Sequence, residues 1–316
     1  MRRLLAAGAL SVAAAALGAR FAERRVLDEL ESTEPPSWWK TPRFPTGEVH
    51  HIPTDDGGVI AAEDAGDPAD PAVVLVHGIT QNHHDLGLIA DVLVQTGFRV
   101  IGVDQRGHGE SEAGTDGYGA ARLGHDLATV LEYFDLDGAI LCGHSMGGIA
   151  IQSLLTSGHQ ATHRVHAAVL VATTPATNRP EHRLAGLAAG TRAAEWIEAH
   201  REHGRFFTRA TFGKRASSAQ VDAVLQSSLN CRRETKRDAA QALGSYNVLS
   251  SLPSIDLPVF VVYGTRDRVT PPRDNAKIVA ATGAHEMVLA GLGHSIPQED
   301  PAAVAQAVRL AATAQR

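Results

Sequence analysis

Gly143-His144-Ser145-Met146-Gly147 stands between an apolar run typical of a strand, residues 139–142, and a helix-like run, residues 149–155. A serine at such a strand-to-helix turn, with glycine two residues before it and two after it, is held with its hydroxyl exposed above a sheet. The glycines are required for steric reasons, because a side chain at either position would collide with the closely approaching strand and helix. This stretch therefore predicts a sheet that presents a reactive serine at its edge.

The chain on both sides of this turn alternates between apolar strand-like runs and helix-like runs. Strands are predicted at residues 73–76, 99–103, 139–142, 165–172, 259–263 and 285–289, and helices at 85–96, 119–134, after Ser145, after Pro272 and from Pro301. Such alternation predicts an α/β protein with a parallel sheet and right-handed crossovers. The strands are continuous apolar runs, so we expect them to be buried on both faces. Upstream, Asp55-Asp56-Gly57-Gly58 separates two extended runs and predicts a hairpin.

The alternation stops between residues 175 and 252, where the sequence becomes helical and basic. This insert carries 12 Lys and Arg against 7 Asp and Glu, within a chain whose net charge is -6. Because open α/β sheets bind ligands at the carboxyl ends of their strands, we interpret the insert as a helical cap over that edge. The predicted domains are an N-terminal segment at 1–46, a core at 47–174 and 253–316, and the cap at 175–252.

The N-terminal segment resembles an export signal or a short membrane anchor. Arg2 and Arg3 precede sixteen small or apolar residues, 4–19. A positively charged start followed by an apolar stretch is the pattern of such signals. A helix of this length spans about 24 Å, less than the roughly 30 Å of a hydrocarbon core. We expect an exported or envelope-anchored protein that associates with the membrane through residues 4–19, the alternative being a cytoplasmic protein with an N-terminal helix. Residues 31–46, rich in Pro and Trp, predict a linker without regular structure.

Composition excludes several classes of partner. The negative net charge gives no reason to expect binding to nucleic acid, and the two cysteines, Cys142 and Cys231, do not form a zinc-binding pattern. The adjacent pair His83-His84 suggests a metal site, but neighbouring residues of a helix or strand point in different directions, and no carboxylate accompanies the pair at ligand spacing. We therefore do not expect a metal site at this pair.

A serine hydroxyl is a poor nucleophile, so it needs a base within hydrogen-bonding reach and a third group that orients the base. Tyr263-Gly264-Thr265-Arg266-Asp267 places a carboxylate three residues beyond a predicted strand, and Gly291-Leu292-Gly293-His294 places an imidazole in the loop after the last strand. Both positions are where parallel strands end. The candidate catalytic residues are therefore Ser145, Asp267 and His294.

An attacked carbonyl also needs N–H donors for the oxyanion that develops on it. A helix N-terminus supplies one donor, which would be the main-chain N–H of Met146. The loop after the strand at 73–76 contains His77-Gly78-Ile79 and would supply the second, the N–H of Ile79. His77 is expected to fix this loop rather than to take part in chemistry.

Five motifs together resemble the α/β-hydrolase superfamily. In chain order they are the His77-Gly78 loop, the turn Asp104-Gln105-Arg106-Gly107-His108-Gly109-Glu110-Ser111, Ser145, Asp267 and His294. The chain is most similar to capped bacterial serine esterases and lipases, and to the cofactor-free haloperoxidase and monoacylglycerol lipase branches that share a Gly-His-Ser-Met-Gly-Gly turn. The resemblance covers about residues 47–313. It implies a mostly parallel sheet flanked by helices, and hydrolysis of a small-molecule or lipid ester through an acyl-serine intermediate, without metal or organic cofactor.

The same residues are compatible with other activities. The triad could serve a perhydrolase or haloperoxidase, a thioesterase, or an acyltransferase. Aminopeptidase action would need acidic residues to hold a substrate amine, and the basic insert argues against it. A non-catalytic ligand-binding protein on the same scaffold is the alternative of a different class. The sequence assigns no substrate-binding residues and no oligomeric state, although Trp196, Phe206, Phe207 and Phe212 could either line an acyl pocket or pack the cap.

Overall fold

A computed structural model describes residues 20–177, 191, 192, 196 and 200–315. In this part of the chain, eight strands form one sheet in the order β1-β2-β4-β3-β5-β6-β7-β8. They are β1 (Glu48–Pro53), β2 (Val59–Ala65), β3 (Ala72–Val76), β4 (Arg99–Val103), β5 (Ala139–His144), β6 (Val165–Val171), β7 (Val259–Gly264) and β8 (His285–Leu289). β1 and β2 form the predicted hairpin, β2 also pairs antiparallel with β4, and the remaining pairs are parallel.

Helices cover both faces of the sheet, and further helices lie in the insert. They are α1 (Gly87–Gln95), α2 (Ala120–Tyr133), α3 (Met146–Leu155), α4 (Arg201–Arg209), α5 (Ser218–Asn230), α6 (Arg233–Ala242), α7 (Pro272–Thr282), α8 (Ile296–Glu299) and α9 (Pro301–Ala312). One apolar cluster joins the sheet to α2, α3 and α7, and the other joins it to α1 and α9. The prediction of a mostly parallel sheet flanked by helices is therefore confirmed.

Burial on both faces holds for the central strands but not for the last one. Every residue of β5 is buried, as is every residue of β7. β8 is an edge strand with exposed residues, and 46% of the Val288 surface is exposed. The expectation for residues 285–289 was wrong because an apolar run does not reveal whether a strand has neighbours on both sides.

Residues 20–32 form an N-terminal helix. Its Leu30 is fully buried in a cluster with Phe212, Ala216 and Val221, and Glu31 accepts a hydrogen bond from Arg205 of α4 at 2.6 Å. The predicted linker thus begins two residues later than expected, because packing on the region of α4 extends the helix through residue 32. Residues 33–46 have no helix or strand, although Phe44 is buried against the core.

The predicted signal or anchor at residues 4–19 lies outside the described residues. Among the residues that the structure describes, no helix is both long and apolar enough to cross a membrane. The described part of the insert is largely helical, from α4 to α6, and its separation from the core as a cap stays a prediction. Of its aromatic residues, Phe212 is buried, whereas Trp196 and Phe207 are more than half exposed, at 55% and 56%.

Candidate active site

Ser145 occupies the sharp turn between β5 and α3. Its backbone has φ 52° and ψ -112°, a conformation that few residues other than glycine adopt. A Cβ on Gly143 would lie 2.5 Å from the carbonyl carbon of Gly147, and a Cβ on Gly147 would lie 2.1 Å from the oxygen of Val76. The steric reason for the two glycines was therefore correct: the strand ends and the helix meet at backbone contact.

The structure brings the three candidate catalytic residues together. Nε2 of His294 lies 3.1 Å from Oγ of Ser145, and Nδ1 of His294 lies 2.9 Å from Oδ2 of Asp267. Asp267 follows β7 and His294 follows β8, so the parallel strands deliver both side chains to the edge where Ser145 stands. His294 and Asp267 are buried, whereas Ser145 is partly exposed. The arrangement can pass a proton from the hydroxyl to an oriented imidazole.

Four hydrogen-bond partners hold the Asp267 carboxylate. Oδ1 accepts from the N–H groups of Val269 and Thr270, at 2.8 and 2.9 Å, and Oδ2 accepts from the Thr270 hydroxyl at 2.8 Å and faces His294. Burial alone would raise the pKa of Asp267, but the contacts with His294 and Thr270 outweigh it and hold the pKa below its ordinary value. Asp267 is therefore an ionised acceptor. The sequence analysis missed Thr270, whose only signal was its place three residues beyond Asp267.

His144 joins the loop of His294 to the loop beside Ser145. Its Nε2 lies 2.9 Å from the main-chain oxygen of His294, and its Nδ1 lies 3.0 Å from Oε1 of Gln81. The same Gln81 oxygen accepts from the N–H of Gly78 at 2.9 Å. Burial, together with the charge of a protonated His294, lowers the pKa of His144 to about 3, so this ring is neutral. The sequence analysis missed His144 and Gln81, although His144 stood inside the deciding pentapeptide.

The loop predicted to donate to the oxyanion borders Ser145. A Cβ on Gly78 would lie only 3.3 Å from Cβ of Ser145. Met146 is the first residue of α3, so its N–H has no carbonyl acceptor within its own helix. The assignment of the Ile79 and Met146 N–H groups as oxyanion donors stays a prediction. His77 is fully buried and accepts from the N–H of Gln105 at 2.9 Å, as expected for a residue that fixes the loop.

The prediction that the side chains of His83 and His84 point in different directions was wrong. Their ring centroids are 4.0 Å apart, and with Glu63 they place potential ligand atoms within 4.8 Å of one another. The pair opens a short 3-10 helix, His83–Leu86. Nδ1 of His83 lies 2.9 Å from Asp104 and Nε2 lies 3.1 Å from Glu63. Burial lowers the pKa of His83, but these two carboxylates outweigh burial and raise it.

Comparison with known proteins agrees with this geometry. Residues 71–301 match the family model of the alpha/beta hydrolase fold. The chain is 30% identical to an AB hydrolase superfamily protein of Bacillus subtilis over 231 residues, which cover 70% of this chain and 83% of that protein. It is 27% identical to a non-heme chloroperoxidase of Burkholderia pyrrocinia over 238 residues, 72% of this chain and 85% of that protein. Among solved structures, an esterase from a Rhodococcus species is 27% identical with a TM-score of 0.71, covering 84% of this chain and 98% of the other. The chain belongs to the α/β-hydrolase family.

Proposed function

We propose that this protein is a serine hydrolase that cleaves a carboxylic ester through an acyl-serine intermediate. The observation that carries the proposal is the continuous line of contacts from the Ser145 hydroxyl through His294 to Asp267, with separations of 3.1 and 2.9 Å. The similarity to a solved esterase supports the same reaction class.

In the first step, His294 takes the proton of Ser145 while Oγ attacks the ester carbonyl. Asp267 holds the imidazole with Nδ1–H toward the carboxylate and stabilises the imidazolium that forms. His294 then gives the proton to the leaving alcohol, and the acyl group stays on Ser145. In the second step, water loses a proton to His294 and attacks the acyl-serine, which releases the carboxylic acid and restores the hydroxyl.

The tetrahedral intermediate of each step carries a negative oxygen. The N–H of Met146, at the N-terminus of α3, and the N–H of Ile79 are proposed to stabilise it. Removing one such donor typically costs about 3 kcal/mol of transition-state stabilisation. The site needs no metal for this role, because the donors are main-chain groups fixed by the fold.

The test is the Ser145→Ala variant, assayed on p-nitrophenyl esters of increasing chain length. We expect turnover to fall by about 10⁴-fold or more, and a fluorophosphonate probe to label the wild type but not the variant. Ser153→Ala is the matched control, because Ser153 is a buried serine of the same helix, and it should keep both turnover and labelling. Near-normal turnover in Ser145→Ala would refute the proposal, and a wild type that the probe does not label would favour a non-catalytic ligand-binding protein.

A second candidate activity is perhydrolysis, favoured by the similarity to non-heme chloroperoxidases. Here hydrogen peroxide replaces water in the second step: its oxygen attacks the acyl-serine, its proton passes through His294 to Ser145, and a peracid leaves. Rates of acyl-enzyme breakdown with peroxide, water, alcohols and thiols as acceptors distinguish this activity from esterase and acyltransferase action. A peracid yield that stays at the uncatalysed level would exclude it.

A further inference from the structure

The loop that carries His294 is bound to the segment that follows α4. We name residues 291–295 the base loop and residues 211–214 the α4 linker. The oxygen of Thr211 accepts from the N–H groups of His294 and Ser295, at 2.6 and 3.2 Å, and the N–H of Lys214 donates to the oxygen of Gly291 at 2.8 Å. These bonds connect the base loop with residues far away in the sequence, outside the alternating β/α part of the chain.

One carboxylate, that of Glu299, holds both segments at once. Oε2 accepts from the N–H of Gly213 at 2.7 Å, and Oε1 accepts from the N–H of Gly293 at 2.9 Å. Gly293 directly precedes His294. Glu299 is the last residue of α8, which packs on the core, so this one side chain bonds both segments to the body of the molecule.

The two segments touch at their backbones. A Cβ on Gly293 would lie 2.4 Å from the carbonyl carbon of Phe212, and a Cβ on Gly213 would lie 2.0 Å from the oxygen of Gly291. At these two points backbone meets backbone, so no side chain there could absorb a shift. A displacement of the α4 linker is therefore transmitted to the base loop directly.

Burial makes the ionised form of Glu299 unfavourable in the folded protein. Burial raises its pKa to about 7, against the opposing effect of the Gly213 and Gly293 N–H groups and of nearby Arg209. Because the folded pKa is the higher one, the free energy of unfolding falls as the pH rises from about 4.5, and the loss is complete above about pH 7. A buried acid that destabilises the fold at neutral pH and bonds the residue next to the proposed base points to a functional constraint.

We propose that Glu299 is a positioning residue that sets the His294 imidazole against Ser145 and Asp267 by joining the base loop to the α4 linker. The proposal rests on the proposed role of His294 as general base. It gives the insert a second role, since residues 211–214 support the base in addition to any contact with substrate.

The test compares Glu299→Gln with Asp300→Asn in the full chain. A glutamine keeps the shape but has one acceptor oxygen, so its NH₂ group would face one of the two N–H donors. We expect kcat to fall about tenfold with KM changed less than about twofold, because only the transition state needs the aligned imidazole. Amide hydrogen exchange in residues 211–214 and 291–295 should become about tenfold faster or more.

Asp300 is the matched control, because its carboxylate accepts only from the N–H of Ala303, at 3.0 Å, among the described hydrogen bonds, and caps α9. Asp300→Asn should change kcat by less than about twofold, whatever it does to stability. The proposal is overturned if kcat of Glu299→Gln stays within about twofold of wild type, if the control loses as much, or if kcat falls without faster exchange in both segments. The exchange experiment is independent of activity. Faster exchange in Glu299→Gln, in a protein without Ser145-dependent turnover, would confirm that Glu299 connects the two segments and would refute the proposed esterase activity instead.

Discussion

Asp267 shows how single atoms prepare a triad. Its Oδ1 is occupied by two N–H groups and its Oδ2 by the Thr270 hydroxyl, so the carboxylate cannot rotate away from His294. These contacts lower its pKa despite burial. The charge and the direction of the acceptor are therefore fixed before any substrate binds.

We predict that Asp267→Asn lowers kcat/KM by about 10³- to 10⁴-fold, because an amide can hold the imidazole in the wrong tautomer and cannot stabilise the imidazolium. The loss is measured with a chromogenic ester under conditions where the variant is folded. Asp135→Asn, which changes a carboxylate that is 88% exposed, should leave kcat/KM unchanged. If Asp267→Asn lowers kcat/KM by less than about tenfold, another residue is the acid that orients His294.

The strand-turn-helix element stores backbone strain at Ser145. A non-glycine residue in such a region costs on the order of 1–3 kcal/mol, and here the pairing of Ser145 N–H with the oxygen of Val171 at 2.9 Å holds the turn in place. The element keeps this strain because the same geometry points the hydroxyl toward His294. Activity and stability are thus opposed at one residue.

This opposition is tested by comparing Ser145→Gly with Ser145→Ala, both of which lack the hydroxyl. Glycine adopts a positive φ without strain. It also loses more conformational entropy on folding than alanine, which costs about 0.5–1 kcal/mol of stability. We therefore expect Ser145→Gly to be more stable than Ser145→Ala by about 1 kcal/mol in urea unfolding. If the alanine variant is equally or more stable, the strain at this turn is smaller than the backbone angles indicate.

At the scale of the whole molecule, Asp85 links the core to the insert. Its Oδ1 accepts from the Ser227 hydroxyl of α5 at 2.6 Å, and its main-chain oxygen accepts from Gln298 at 2.9 Å. Burial raises the pKa of Asp85 to about 6, although the Ser227 and Asn82 hydrogen bonds oppose the shift. The native state therefore binds more protons at Asp85 than the unfolded chain between about pH 4 and pH 6.

Because the folded pKa is the higher one, the free energy of unfolding falls as pH rises through this interval, and the cost is complete above pH 6. We predict that the stability of Asp85→Asn relative to wild type increases by about 1–3 kcal/mol when the pH is raised from 4.5 to 7.5. Urea unfolding at the two pH values measures it. Asp137→Asn, at an exposed position, should show no such difference, and an equal difference for both variants would show that Asp85 is not the group responsible.

The sequence predicted the elements of the core closely, with β4 and β8 found at the expected residues. Apolar runs, flanking glycines and prolines are local signals, and the parallel sheet follows from their alternation. Predictions from sequence were wrong where the burial or contacts of a residue depend on its position in the molecule. The edge strand β8 was predicted to be buried, and His83 and His84 were predicted to point apart although their ring centroids lie 4.0 Å from each other.

Several features of the site could be predicted before the fold was known: the chain order of Ser145, Asp267 and His294, their places after strands, and the two glycines around the serine. These features depend on neighbouring residues and on chain direction. Folding sets the distances between these side chains, the supports given by Thr270, His144 and Glu299, and the packing of residues 20–32 on the region of α4. Those contacts join residues remote in sequence. They become visible only when the chain has closed the loops between them.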